Sequence, residues 1–252
     1  MQVDLSGRTA LVTGASSGLG AHFARVLAGA GAAVAIVARR TDRLEALAGE
    51  LRAQGARVLV AQMDVLDRPA TATCVARLAA ELGRIDILVN NAGVALTKPA
   101  LDHEDADFDA VIDVNLRGAF AVAREVGRAM RETGGGSIIN IASIVGLRQA
   151  GQLAAYAISK AGLIQMTKQL ALEWARHGIR VNALAPGYLQ TELNEGFIES
   201  EQGQAILRRI PQRRLGRLED LDGPLLLLAS DASAYMTGSV LTIDGGHLVS
   251  SL

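Results

Sequence analysis

The sequence predicts an α/β protein: one doubly wound sheet of about seven parallel strands with helices on both faces. Three observations carry this reading. Short β-rich runs alternate with longer segments of helical period, and most of the runs are continuously apolar, as strands covered on both faces require. No linker, low-complexity tract or repeat breaks the alternation, so the 252 residues read as one domain, 1–252.

The first run, T-A-L-V-T at 9–13, leads straight into a glycine-rich turn, and the second, A-V-A-I-V-A, occupies 33–38. Helical segments follow at 44–54 and 70–82, each closed by a glycine, Gly55 and Gly83, suited to a left-handed C-terminal residue. Between and after them lie R-V-L-V-A-Q at 57–62 and I-D-I-L-V-N at 85–90. A Gly134-Gly135-Gly136 turn introduces S-I-I-N-I-A at 137–142, and R-V-N-A-L at 180–184 and V-L-T-I at 240–243 complete seven strands. The polar stretch 190–212, with Gly196, Gly203 and Pro211, interrupts this rhythm before the last helix. An insertion at the carboxyl edge of such a sheet lies where ligands bind, so 190–212 is expected to be a substrate-binding lid.

Composition narrows the partners. Formal charge is −1 with both signs interspersed, so no basic face points to nucleic acid or to an anionic membrane. The start, M-Q-V-D-L-S-G-R, has no basic segment followed by an apolar run, and no apolar stretch is long enough to span a bilayer; the expected location is cytoplasmic. Cys74 is the single cysteine and reads as one position on an amphipathic helix. His22, His103, His177 and His247 show no metal spacing and read as surface or packing residues, so no metal is expected. His247 has a second reading, in which it reaches a neighbouring subunit's site.

Directly after the first strand stands T-G-A-S-S-G-L-G, with Gly14, Gly18 and Gly20 at a strand-to-helix junction. Glycines there permit a tight turn and close approach of a pyrophosphate, and the helix N-terminus offers N–H donors to anionic oxygens. Ser16, Ser17 and Leu19 belong to the same cradle. At the end of the second strand an acid would bond a ribose 2′-hydroxyl, whereas arginine would clamp a 2′-phosphate. The sequence there is V-A-R-R, with Arg39 and Arg40, which favours NADP and leaves NAD as the alternative. Asp64 and Val65, past the third strand, are placed to meet an adenine, though Asp64 also reads as a helix N-cap. Tyr156 and Lys160, four apart on a helix, share a face, and an ammonium beside a phenol lowers the phenol's pKa into a range useful for proton transfer.

Taken together, these residues resemble the short-chain dehydrogenase/reductase family over essentially the whole chain. The family's motifs stand in order: T-G-A-S-S-G-L-G at 13–20, N-N-A-G at 90–93, Asn115 in D-V-N-L, Ser143 in I-A-S, Y-A-I-S-K at 156–160, P-G at 186–187 with Thr191 after it, and D-G-G at 244–246. The resemblance implies a seven-stranded Rossmann-type sheet and reversible hydride transfer between a ketone and a secondary alcohol, as in a carbonyl reductase or alcohol dehydrogenase. It implies Tyr156 as general acid or base, Ser143 as a hydrogen-bond donor to the substrate oxygen, Lys160 as the group that lowers the tyrosine pKa and binds the nicotinamide ribose, and Asn115 as the anchor of a water leading to that lysine. It places Asn91, Ala92 and Gly93 on the adenosine side and Pro186, Gly187 and Thr191 at the nicotinamide. The chain departs from many NADP-preferring members at Ser17, where they carry a basic residue, so the 2′-phosphate would rest on Arg39 and Arg40 with a serine hydroxyl.

Specificity is expected from Val94, Ala95 and Leu96, from 145–149 with Val145 and Gln149, from Gln152 and Leu153, from Tyr188 and Leu189, and from Leu193, Phe197 and Ile198 in the lid. This set is mostly apolar and suits a small ketone or alcohol; a 3-oxoacyl thioester is a second substrate class. Arg148 either binds a carboxylate or points to solvent. A helix over 156–176 that is apolar on more than one face, with Leu163, Ile164, Met166, Leu170, Leu172 and Trp174, predicts self-association, and the resemblance implies a homotetramer. A catalytically silent NADP-binding regulator would be expected to have lost Tyr156 or Lys160, and both are present.

Overall fold

The structure, a computed structural model, describes residues 3–190 and 200–250. Seven parallel strands form one sheet in the order β3-β2-β1-β4-β5-β6-β7. They are β1 (Thr9–Thr13), β2 (Ala33–Ala38), β3 (Val58–Gln62), β4 (Ile87–Asn90), β5 (Gly136–Ile141), β6 (Ile179–Pro186) and β7 (Val240–Ile243). The helices are α1 (Gly18–Gly29), α2 (Thr41–Ala53), α3 (Arg68–Leu82), α4 (Asp105–Ile112), α5 (Ala119–Thr133), α6 (Ala154–Trp174), α7 (Glu201–Arg209) and α8 (Asp222–Ala229). The expected strands are all present, three with the expected ends and the others with ends moved by one or two residues. The largest extension is β6, which pairs with β7 as far as Pro186.

Adjacent residues on a strand face opposite sides, so continuously apolar strands make two cores. Val12, Val34 and Ile36 pack with Phe23 and Leu27 of α1, Leu44 and Leu51 of α2, and Leu225 and Leu228 of α8. On the other side Leu11, Ala35 and Val37 meet Leu78 of α3, Val122, Val126 and Met130 of α5, and Leu170 of α6. Cys74 is buried in this second layer, and burial pushes its thiol pKa up, which makes it a packing residue.

Helix ends follow local chemistry. Asp67 caps α3 by accepting from the Ala70 backbone N–H at 3.0 Å, and Gly83 ends that helix in the left-handed conformation with φ 85°. Between α4 and α5 the chain widens into a π-helical segment, Asp113–Gly118, which the sequence pattern did not announce.

Buried polar bonds lock the centre of the sheet to the helices that carry the site. Asn90 on β4 donates to the Ala119 carbonyl at the start of α5 (2.8 Å) and to Asn140 on β5 (3.2 Å), and Asn140 donates to Thr167 on α6 (2.9 Å). The strand order reverses between β1 and β4, so a crevice opens beyond their carboxyl ends, where ligands of doubly wound sheets bind.

Candidate active site

A groove of about 510 Å³ occupies that crevice. Its floor at one end is the turn after β1. Gly14 and Gly18 adopt φ of 67° and 53°, and a Cβ on Gly14 would lie 2.9 Å from the Ala92 Cα. A Cβ on Gly20 would lie 2.4 Å from the Gly14 carbonyl oxygen, so helix, turn and the loop after β4 touch backbone to backbone. Thr13, which sequence reasoning missed, joins the two loops: its hydroxyl accepts from the Asn91 and Ala92 N–H groups at 2.9 and 3.0 Å. The signal was available only as a buried hydroxyl at the end of a strand.

The N-terminus of α1 carries no acidic residue in its first turn and no side-chain cap. Its N–H groups therefore remain available to an anion. Arg40 closes this end, donating to Ser17 Oγ at 2.8 Å and to Ser16 Oγ at 3.0 Å. Arg39 lines the same groove; its backbone carbonyl accepts from Gln62 Nε2 at 3.2 Å, and its guanidinium makes no hydrogen bond among the described residues. Asp64 and Val65 line it too; the cap of the following helix is Asp67, while Asp64 closes a local turn by accepting from the Leu66 N–H at 3.0 Å. Glycines that a Cβ would fill, an uncapped helix end and a guanidinium braced on two serines fit a phosphorylated dinucleotide.

At the other end the groove is lined by Gly93, Val94, Ala95, Ser143, Tyr156, Lys160, Pro186, Gly187 and Leu189. Ser143 follows β5, and its hydroxyl hydrogen-bonds Tyr156 from the first turn of α6. Burial raises the Tyr156 pKa and the bond to Ser143 works against it. The expected depression by Lys160 is therefore corrected: Lys160 Nζ sits 5.6 Å from the Tyr156 ring centroid and donates to the Ile141 carbonyl at 2.7 Å, not to the phenol. Burial brings the Lys160 pKa down to about 8. Spacing on a helix fixed which face these groups share and not how deeply they lie.

Asn115 stands in the π-helical segment and is buried rather than lining the groove. Its side chain accepts from the Val94 N–H (2.7 Å) and donates to the Val94 carbonyl (2.8 Å) and to Ser159 Oγ (3.0 Å). Ser159, also unforeseen, passes the tie to the Tyr156 carbonyl at 2.7 Å. Both amide ends of Asn115 are thus engaged in fastening the loop after β4 to α6. A Cβ on Gly93 would lie 3.2 Å from Asn115 Oδ1 and 3.6 Å from Lys160 Nζ, so these groups crowd one point.

Of the other expected pocket residues, Val145 is buried, Gln149 exposed and Leu153 half-buried just before α6, none of them in the groove wall. Tyr188 lies beside the groove with its ring 5.7 Å from that of His247. Thr191, Leu193, Phe197 and Ile198 lie outside the described residues. Two histidines read as surface or packing residues are engaged: His22 Nε2 meets Asp222 at 2.6 Å, and His247 is buried. Among the described residues no group of three metal-ligating side chains occurs, and no helix is long and apolar enough to cross a membrane.

Comparison with known proteins agrees with this geometry. The sequence model of a family described as Enoyl-(Acyl carrier protein) reductase matches residues 14–247. The chain is 41% identical over 246 residues to 2-dehydro-3-deoxy-D-gluconate 5-dehydrogenase of Pseudoalteromonas atlantica, covering 97% of each chain. It is 41% identical over 247 residues to the 3-oxoacyl-[acyl-carrier-protein] reductase FabG of Rickettsia bellii, covering 98% of this chain and 99% of that one. Among solved structures it is similar to a gluconate 5-dehydrogenase from Burkholderia cenocepacia in complex with NADP and tartrate, with a TM-score of 0.95, 38% identity and coverage of 99% and 98%. A seven-stranded parallel sheet, a glycine turn at its switch point and relatives of this likeness define an oxidoreductase with a Rossmann-type fold. The chain belongs to the short-chain dehydrogenase/reductase family.

Proposed function

We propose that this protein interconverts a ketone and a secondary alcohol with NADP(H), as one domain whose segment 190–212 covers the substrate. The observation that carries the reading is the single groove that has the glycine turn and Arg40 at one end and Ser143, Tyr156 and Lys160 at the other. Arg40, braced by Ser16 and Ser17, would hold a 2′-phosphate, with Arg39 beside it. Gly14, Gly18, Gly20 and the α1 N-terminus would hold the pyrophosphate, Asp64 and Val65 the adenine side, and Pro186 and Gly187 the nicotinamide. The cofactor when bound supplies or accepts the hydride.

The chain's own residues manage the proton. In reduction Tyr156 donates its hydroxyl proton to the carbonyl oxygen, and Ser143 hydrogen-bonds that oxygen as negative charge grows on it. In oxidation Tyr156 takes the proton back as phenolate. Lys160, whose pKa burial brings down to about 8, relays protons between the site and solvent. Asn115 acts as a positioning residue, with the proton path passing the point where Gly93, Lys160 and its own side chain meet. The relatives D-threitol dehydrogenase, gluconate 5-dehydrogenase and 3-oxoacyl-[acyl-carrier-protein] reductase each oxidise a hydroxyl carbon or reduce an oxo carbon, which supports the reaction class. A 3-oxoacyl thioester is the second reading, supported by FabG proteins at 41% and 40% identity.

The test is a panel of hydroxy acids, polyols, simple ketones and an acetoacetyl thioester, assayed with NADPH or NADP+ and with NADH or NAD+. Wild type is expected to turn over at least one class with preference for NADP(H). Tyr156→Phe should lose about 100- to 10,000-fold in kcat while still binding NADPH. A phenylalanine variant as active as wild type would refute Tyr156 as the acid.

A further inference from the structure

Five residues beyond Ser143, Arg148 reaches the C-terminal turn, where one Nη donates to the His247 backbone carbonyl. That bond anchors one corner of the guanidinium. Its remaining donors have no partner among the described residues, and a guanidinium held this way presents a planar, bidentate edge suited to a carboxylate.

The turn that holds it is well built. Asp244 accepts from the Gly246 and Leu248 N–H groups at 2.9 and 2.6 Å, which occupies both of its oxygens. The His247 ring is 6% exposed, lies against Tyr188, and leaves its Nδ1 buried without a hydrogen-bond partner. The end of α7 is fastened to the same turn: Gln212 donates to the Gly245 carbonyl at 3.1 Å, and a Cβ on Gly245 would meet Ile210 at 3.0 Å. Arg209, next to Ile210, is thereby brought to the cluster.

The result is positive charge gathered beside a single carboxylate of the turn, Asp244, whose oxygens are engaged by backbone N–H groups. Arg25 and Arg214 are neutralised by Glu50 and Asp220, but among the described residues no carboxylate pairs with Arg148 or Arg209. Burial first, and then both arginines, hold the His247 pKa below its ordinary value against the pull of Asp244. The cluster adjoins the substrate end of the groove through the chain: Arg148 stands five residues beyond Ser143, Tyr188 stands between Gly187 and Leu189, and Ser143, Gly187 and Leu189 all line the groove.

We propose that Arg148, anchored on the His247 carbonyl and assisted by Arg209, binds the carboxylate of a hydroxy or keto acid whose reacting carbon lies at Ser143 and Tyr156. This rests on the oxidoreductase reading above and selects among its substrate classes. A neutral polyol of the same length lacks the charge the cluster would neutralise.

The experiment compares D-gluconate with D-glucitol as substrates, with NADP+, in wild type, Arg148→Gln and Arg148→Lys. The expected result is a wild-type preference for the acid, with the acid-to-polyol ratio of kcat/KM reduced about 10- to 100-fold in Arg148→Gln, the loss of one charged hydrogen-bonded contact. Arg148→Lys, which keeps charge but not the fork, should retain part of the ratio. A ratio unchanged by Arg148→Gln, or no wild-type preference for the acid, overturns the proposal. Calorimetric titration of tartrate into NADP+-saturated protein supplies a readout that needs no turnover. Arg148→Gln is expected to weaken it at least about tenfold, and equal binding by both proteins also overturns the proposal. Absence of turnover on these and the wider panel would refute the proposed ketone–alcohol reaction, while the titration still decides Arg148.

Discussion

Lys160 is held in the site at the expense of stability, and the pH dependence of that penalty follows from its burial. The side chain is 5% exposed, its ammonium meets one backbone carbonyl, and its pKa is brought down to about 8 from an ordinary 10.5. Below pH 8 the group is charged in both folded and unfolded chains, and the folded one carries the full desolvation penalty. Between about 8 and 10.5 the folded chain has released the proton and the unfolded chain still binds it, so stability rises with pH across that window. Above it both forms are neutral. The difference corresponds to roughly 3 kcal/mol as an upper bound. Lys160→Met, inactive by the proposed mechanism, should therefore be more stable than wild type by about 1–3 kcal/mol at pH 7. Urea midpoints at pH 7, 8, 9 and 10 should show that advantage shrinking; a gap independent of pH would mean that Lys160 is not a buried titrating group. The residues themselves were legible from the spacing of Tyr156, Lys160 and Ser143. Their energetics were not, because i, i+4 periodicity carries no information about depth, and burial sets the direction at both groups, opposed only by the Ser143 hydrogen bond at Tyr156.

At the scale of elements, the junction of β1 and α1 admits no side-chain atom at Gly14 or Gly20. Gly20→Ala places a Cβ 2.4 Å from the Gly14 carbonyl oxygen and 2.6 Å from Asn91 Nδ2, which itself donates to the Thr13 carbonyl at 3.0 Å. The helix must retreat from the turn. The expected cost is about 1–3 kcal/mol of stability, with weaker NADPH binding read by fluorescence titration. Gly49→Ala is the matched control: it lies within α2, exposed, with nothing within 4 Å of the added Cβ, and should stabilise by about 0.5–1 kcal/mol. Loss of NADPH affinity in both variants, or in neither, would contradict the close-contact argument. Glycines after a strand and before a helical period made this junction legible, as continuous apolar runs did the strands. The π-helical segment Asp113–Gly118 was not legible, since one residue of extra winding leaves the apolar period of α4 and α5 nearly intact. It is recognisable only in three dimensions, where Gly118 lies so close to Val65 that a Cβ would meet Val65 Cγ2 at 2.8 Å.

Across the whole molecule, one layer of α5 and α6 stays uncovered. Leu163, Ile164 and Leu170 are buried under this helix pair, whereas Leu172 is 77% exposed, Ile158 52% and Phe120 41%. Scattered apolar residues are ordinary on a surface, but Ile158 and Leu172 carry the apolar character of α6 onto its exposed face, and Phe120 does the same on α5. Self-association through α5 and α6 would remove them from water, and a homotetramer would use a second contact at α8 and β7. In an interface with two-fold symmetry each substitution counts twice. Leu172→Arg adds a cation to a shallow depression already lined by Arg124, Arg128, Arg131 and Arg176, of which Arg124 and Arg128 pair with Glu125, so two copies would have to bring the remaining cations together. Because Leu172 is exposed in the single chain, folding of that chain should change by less than about 0.5 kcal/mol. Removing two buried leucines should weaken assembly by about 3–6 kcal/mol, a change of at least a hundredfold in the dissociation constant. Light scattering across micromolar concentrations should therefore show Leu172→Arg as a smaller species than wild type with an unchanged circular dichroism spectrum. A wild type that is monomeric, or a variant of the same mass as an oligomeric wild type, would place the interface elsewhere or remove it.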